Sequence, residues 1–312
     1  AYILTLIILY CELLINIFSL FLCIKLILQL SDYPHMKTSH LLLIMLIMII
    51  YGSSYPVGKL GIDNIPPLLF SALRVGLIFI VFIPFFKFRL PSKSLIKPLI
   101  LFSLTMGVGT YVSMYYALER LEIVAPIIIG AQLSIPFGII LSSVFLRESI
   151  TTNRAVLILS SFIGIIIIAY DPRIIDDKIA TVLIISMAFF YAVSNMLARS
   201  LRDVDTSVMN GWHGIISFVP IILLSFYFEG NPSDLLRNID SITIFSVLHC
   251  ALVVSAMGHV GMFYLYKFYP VSKVLPFYSL FPIFGILLTI IMFSEILSMY
   301  EIIGGIMVIG SS

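Results

Sequence analysis

Val124-Ala125-Pro126-Ile127-Ile128-Ile129-Gly130-Ala131-Gln132-Leu133-Ser134-Ile135-Pro136-Phe137-Gly138-Ile139-Ile140-Leu141, running on to Glu148, is the stretch on which the fold turns, because its pattern returns 147 residues later. Val271, Leu280, Gly285, Ile286, Leu288 and Glu295 repeat Val124, Leu133, Gly138, Ile139, Leu141 and Glu148 without a gap, and Leu118 and Leu265 extend the match backwards. In each copy an apolar run with a mid-run proline (Pro136, Pro282) ends in a lone glutamate, and another apolar run follows. A constant offset over so long a stretch reads as an internal duplication, and a duplication decides the fold before any single helix does.

Around this repeat the chain is apolar throughout. Its 312 residues are 61% hydrophobic and 11% charged, with mean hydropathy +1.14. A soluble domain carries about 25% charged residues, so this chain belongs in a bilayer. A helix needs about 20 apolar residues to cross the hydrocarbon. Such runs place ten spans at roughly 40–58, 67–86, 97–118, 123–146, 152–170, 179–198, 207–228, 243–266, 271–293 and 298–312. Short loops join them, with turn signals at Ile65-Pro66-Pro67, Asp171-Pro172 and Gly230-Asn231-Pro232. The net charge of +2 comes without a basic cluster, so no nucleic-acid partner is expected. Cys11, Cys23 and Cys250 sit in apolar runs without paired spacing and read as helix-face thiols. No metal and no cofactor is expected.

Loop charges orient the spans. With Lys37 in the cytoplasm, the loops on its side hold 11 Lys and Arg (Lys37, Lys87, Arg89, Lys93, Lys97, Arg147, Arg154, Arg199, Arg202, Lys267, Lys273). The opposite loops hold 4 (Arg120, Arg173, Lys178, Arg237) and most of the loop acids. Both ends of the ten-span core then lie in the cytoplasm. Five spans is an odd number, so the fourth span and its copy, the ninth, run in opposite directions. The expected fold is an all-α polytopic membrane protein of ten transmembrane helices in two inverted five-helix repeats, 36–172 and 173–312. Secondary transporters built on that plan hold substrate near the midplane between repeats. Residues 1–35 form an uncertain apolar N-terminal extension. Three readings stay open for it: an extra helix, a membrane-lying segment, or a start upstream of the natural one, which we place at Met36.

Tyr51-Gly-Ser-Ser-Tyr-Pro-Val-Gly-Lys-Leu-Gly61, followed by Ile65-Pro-Pro-Leu-Leu-Phe-Ser-Ala-Leu-Arg74, resembles the opening of the EamA family in the drug/metabolite transporter superfamily. The helix–Arg147-Glu148–helix pattern and its echo at Ser294-Glu295 are also similar to that family. The resemblance covers residues 36–312. It implies two inverted five-helix repeats, a central cavity built largely from spans 1, 3, 4, 6, 8 and 9, and transport of amino acids, purines or other metabolites. Where the family often has tryptophan before Gly-Ser-Ser, this chain has Tyr51.

Polar groups inside hydrocarbon are costly and so mark function or helix ties. In span 1, Tyr51, Ser54 and Tyr55 share a face by i, i+3, i+4 spacing, beside Gly52, Gly58 and Pro56, which thin and open the helix. Tyr111 in span 3, Gln132 in span 4, Tyr191 and Asn195 in span 6, His259 in span 8 and Tyr278 in span 9 complete the expected substrate-binding set. Each has a structural reading beside it: hydroxyls bonded to helix carbonyls, an interfacial tyrosine, a neutral histidine on a carbonyl. Lys59 is expected to snorkel to water. Arg74 is expected to tie helices, with substrate contact as its second reading and Asp63 a candidate partner. Gly130, Ser134 and Gly138 read as a packing seam, and Glu148 and Glu295 as ties at helix ends. No acidic residue lies in mid-span, which argues against a carboxylate-centred proton exchanger.

These residues point to a secondary transporter, not an enzyme, that moves a small metabolite such as an amino acid or an adenine-bearing compound by alternating access. The alternative is an intramembrane enzyme acting on a lipid-linked substrate, for which the sequence offers no clustered catalytic groups. A channel would need a ring of like residues. The partners are then the metabolite and the lipid bilayer, with the oligomeric state open and a homodimer among the options. Ile/Leu-heavy, Ala-poor spans suggest an AT-rich bacterial genome and hence the inner (plasma) membrane.

Overall fold

The computed structural model describes residues 36–146, 151–266, 268–269 and 274–311. The expectations for residues 1–35 and for Glu148 fall outside them. The described residues are helical, with no strand among them. Eight helices are long and apolar enough to cross a membrane: α1 (Thr38–Ile62), α2 (Pro67–Phe86), α3 (Lys93–Arg120), α4 (Ala125–Phe145), α5 (Thr152–Ala169), α6 (Lys178–Ser200), α7 (Thr206–Phe228) and α8 (Ser241–Met262). Two shorter apolar helices follow, α9 (Phe277–Phe293) and α10 (Met299–Ile309). The packing below is that of the compact unit Ile44–Ser312; of the unit Ala1–Leu43, the described part is mainly the start of α1.

Large apolar side chains such as Ile80, Phe85, Val144, Phe226 and Ile306 stand exposed along these helices. Water would penalise such a surface, whereas lipid solvates it. Inside, α2 packs along α7 and α5 along α10. The α2–α7 contact is aromatic, with Phe86 and Phe88 set around Trp212 and the Trp212 indole donating to the Arg89 carbonyl at 2.7 Å. The α5–α10 contact is made by glycine. A Cβ on Gly164 would lie 2.7 Å from the Gly304 carbonyl, and one on Gly304 2.5 Å from the Gly164 carbonyl, so only hydrogen fits between the backbones.

The sequence offset holds in the backbone. The second part of α4 belongs to an α-helix that runs one residue further, Ser134–Leu146, and the α-helical part of α9 is Phe281–Phe293; adding 147 to the first pair of bounds gives the second. Both helices are irregular before that point, α4 by a break at Gln132–Leu133 and α9 by a 3₁₀ stretch, Leu275–Leu280. Two helices carry a π-helical segment, Leu104–Val112 in α3 and His249–Gly258 in α8. Each segment is pinned by a hydroxyl bonding the carbonyl five residues back: Thr110 to Thr105 and Ser255 to Cys250, both at 3.0 Å. A π turn widens the helix and shifts side-chain register, and such turns gather at functional sites.

At one end of the helices the chain is tied across its halves. Neither α2 nor α4 carries a local N-cap side chain, and each begins with proline at its first turn. Both are capped from a distance. Glu229, after α7, accepts Leu68 and Leu69 N–H at 2.7 and 2.9 Å. Glu295, after α9, accepts Val124 and Ala125 N–H at 2.8 and 3.1 Å. Ser294 adopts φ 53°, a left-handed conformation that turns the chain out of α9 and sends Glu295 to α4. At the same end Arg173 joins buried Asp171 (2.8 Å) to Glu301 (2.6 Å).

Candidate functional site

The irregular helices converge on a cavity of about 60 Å³. Helix α1 contributes Tyr51, Ser54 and Tyr55; α2 Arg74; α3 Met106, Thr110, Tyr111 and Met114; α4 Ala131; α6 Met187, Ala188 and Tyr191; α8 Val254 and His259; α9 Phe281. The two π segments place Met106, Thr110, Tyr111 and Val254 in this wall, and His259 follows the second of them directly. Alpha-helical i, i+3, i+4 spacing brings Tyr51, Ser54 and Tyr55 to it from α1. Tyr55 stacks on Phe281 at 6.2 Å and Tyr51 meets His259 edge-on at 6.0 Å, so rings from both halves of the sequence meet here.

Arg74 is the one charged lysine or arginine side chain of the wall, and it is buried. Its Nε and one Nη donate to Ser255 Oγ (3.1 and 3.0 Å), and the other Nη to the Tyr115 hydroxyl (2.7 Å) and Ser54 Oγ (3.4 Å). The guanidinium carbon sits 4.0 Å from the Tyr111 ring centroid. All of these partners are neutral.

Of the expected binding residues, Tyr51, Ser54, Tyr55, Tyr111, Tyr191 and His259 line the cavity. Gln132, Asn195 and Tyr278 do not. Gln132 is buried and donates to the Tyr278 carbonyl at 3.1 Å, which ties the break in α4 to the 3₁₀ stretch of α9. Tyr278 stands behind Tyr51, with ring centroids 5.9 Å apart. Asn195 lies one turn beyond Tyr191, past the lining, and is exposed. Lys59 is half-buried, and its ammonium donates to the Leu118 and Leu121 carbonyls at 2.7 and 3.1 Å, where a cation meets the negative end of α3. Asp63 is exposed and is not among the Arg74 partners. The glycine seam of α4 is half realised, since Gly130 packs on Ile184 while Gly138 has nothing within 4 Å of a built Cβ. The expected helix-tying role of Arg74 is visible in its hydrogen bonds, which join α2 to α1, α3 and α8, and the same side chain also lines the cavity.

The EamA-like transporter family matches this chain over residues 38–170 and again over 178–312, and the chain belongs to that family. It is an integral membrane protein and a transporter, which sets the enzyme alternative aside. The chain is 26% identical over 196 residues, 60% of its length and 66% of the relative's, to "Uncharacterized transporter YoaV" of Bacillus subtilis (strain 168). It is 24% identical over 85% of its length to a "Probable amino-acid metabolite efflux pump" of Salmonella typhimurium, covering 91% of that protein. The protein of the same description in Escherichia coli (strain K12) is 23% identical over the same shares of both chains. One solved crystal structure superposes with a TM-score of 0.60 at 16% identity, over 88% of this chain and 96% of that one, a likeness of fold alone.

Proposed function

We propose that this protein is a secondary transporter that carries a small metabolite, an amino acid or an adenine-bearing compound, across the bacterial inner membrane by alternating access. The observation that carries the reading is the cavity itself: its wall is drawn from α1, α2, α3 and α4 and from α6, α8 and α9, so relative movement of the two halves changes which side it faces. In this reading all ten helices cross, 36–172 and 173–312 are inverted repeats, and both ends of the core are cytoplasmic. The short α9 and α10 complete the second repeat. The loop charges support that orientation. The tied end, with Glu229, Glu295 and the Arg173 network, is then the outer one.

A cavity of about 60 Å³ is smaller than the ~150 Å³ that admits a benzene ring. The helices must therefore separate to take up a metabolite, as alternating access requires. Relatives described as probable amino-acid metabolite efflux pumps support the amino-acid class and export. The test is counterflow in proteoliposomes with labelled amino acids and nucleosides. Saturable, competable exchange that is lost in Tyr51→Ala and Tyr191→Ala is the expected result. Exchange that neither substitution alters would place the pathway elsewhere.

A further inference from the structure

We propose that the cavity reads its substrate through a carboxylate, held by the Arg74 guanidinium and the Tyr111 hydroxyl, so that monocarboxylates are carried and amines or nucleosides lacking the group are not. This rests on the carrier reading and narrows it. Arginine stays protonated at any relevant pH. A buried cation within apolar helices needs a counter-charge or a full set of acceptors. Arg74 has neither. Among the described residues, the ion pairs involve Arg120, Arg173, Arg202 and Arg237, and none involves Arg74. Its four hydrogen bonds end on three hydroxyl groups, so one of the five guanidinium N–H groups has no acceptor. The Tyr111 ring steadies the cation through its π face but leaves the charge in place.

Tyr111 supplies the second observation. It is 3% exposed, lines the cavity, and its hydroxyl has no hydrogen-bond partner. Buried polar groups nearly always have a hydrogen-bond partner, so an unmet hydroxyl that lines a cavity calls for an explanation, and a ligand supplies one. One spare N–H on a permanent cation and one spare O–H in the same cavity ask for an acceptor of negative charge. A single arginine without a second basic partner suits one negative charge better than two. Tyr55 and Phe281 offer the remainder of the substrate apolar area.

The experiment uses the whole protein in proteoliposomes and in detergent. Alanine, leucine and phenylalanine are each compared with their carboxamides and their decarboxylated amines, with adenosine alongside. Counterflow and competition are expected for the carboxylates, with the amides, amines and adenosine at least about tenfold weaker, the scale of a charge-assisted hydrogen bond. Tyr111→Phe removes only an unpartnered hydroxyl. It is expected to weaken carboxylate binding about tenfold and leave thermal stability unchanged, a combination that a packing role does not produce. Arg74→Gln is expected to abolish carboxylate counterflow, and Tyr111→Phe decides the matter if that variant does not fold. Equal counterflow of amines or adenosine would overturn the inference and leave the carrier standing, as would carboxylate affinity unmoved by Tyr111→Phe. Inserted, folded protein that exchanges nothing in the panel would overturn both.

Discussion

The Glu295 carboxylate, at the end of α9, accepts the backbone N–H groups of Val124 and Ala125 at the start of α4. The cap of one helix is therefore supplied by the helix that copies it in sequence. Burial of Glu295 raises its carboxyl above the ordinary range, against the pull of the two N–H groups. Part of what the cap contributes is thus offset by desolvating a charge. Glu295→Ala is expected to lower stability by about 1–2 kcal/mol, the scale of a lost cap. Glu295→Gln keeps a neutral acceptor without the desolvation cost and is expected to lose less. Thermal unfolding of the two variants in detergent checks the order; a glutamine variant as unstable as alanine would show that the charge, and not the acceptor, holds α4.

Asp171 gives the opposite pH behaviour. Hydrogen bonds from Arg173, followed by that from Ser298, hold its carboxyl down at about 2. A depressed carboxyl stabilises the fold above its unfolded value of about 4 and loses that contribution as pH falls toward 2. Arg173 is 35% exposed, which screens the pair. The contribution at neutral pH is then about 1–2 kcal/mol. Asp171→Asn should lower the melting temperature at pH 7, with the gap to wild type closing between about pH 4 and pH 2. A gap that persists at pH 2 would assign the loss to packing.

Two glycines predict opposite outcomes. Alanine at Gly164 would press its methyl against the Gly304 carbonyl, which is backbone and cannot swing aside. The expected cost is about 1–3 kcal/mol, as for overpacking, with α5 and α10 forced apart. Alanine at Gly138 meets nothing within 4 Å. It is expected to be neutral, or to stabilise by up to about 1 kcal/mol through helix propensity. Melting temperatures of the two variants against wild type decide this, and a destabilising Gly138→Ala would mean that another surface closes on α4.

Much of this architecture was legible in the sequence because it follows from apolar length and a repeated pattern. The expected span limits at 67–86 and 152–170 fall within a residue of α2 and α5. Tyr51, Ser54 and Tyr55 were legible as one face because α1 stays α-helical through Pro56. What escaped has physical reasons. A π segment differs from an α-helix by one residue per hydrogen-bonded turn, and composition carries no trace of that. The remote caps at Leu68 and Val124 are contacts across more than 150 residues. Their local signal was negative: helices with proline in the first turn and Pro66 or Val124, not Ser, Thr, Asp or Asn, at the cap position. The carbonyl partners of Lys59 escaped because a snorkelling lysine and one bonded to carbonyls have the same sequence. Asn195 falls beyond the lining of this cavity because spacing along α6 gives direction around the helix but not where the cavity ends.

Thr110 and Ser255 occupy corresponding places in the two π segments, and their difference isolates what holds Arg74. Thr110 pins its own segment through the Thr105 carbonyl. Ser255 pins its segment through the Cys250 carbonyl and also accepts two Arg74 N–H groups. Thr110→Ala should cost about 1 kcal/mol, the scale of one neutral hydrogen bond. Ser255→Ala removes the same pin and leaves more of a buried guanidinium unsatisfied, so roughly 2–3 kcal/mol is expected. Its second effect should be a raised KM for transport, because Arg74 is no longer held at the wall. Ser255→Thr restores a hydroxyl and should recover most of both losses. If Thr110→Ala and Ser255→Ala are equally destabilising and leave KM alike, the hydroxyl of Ser255 shapes the helix and does nothing more for Arg74.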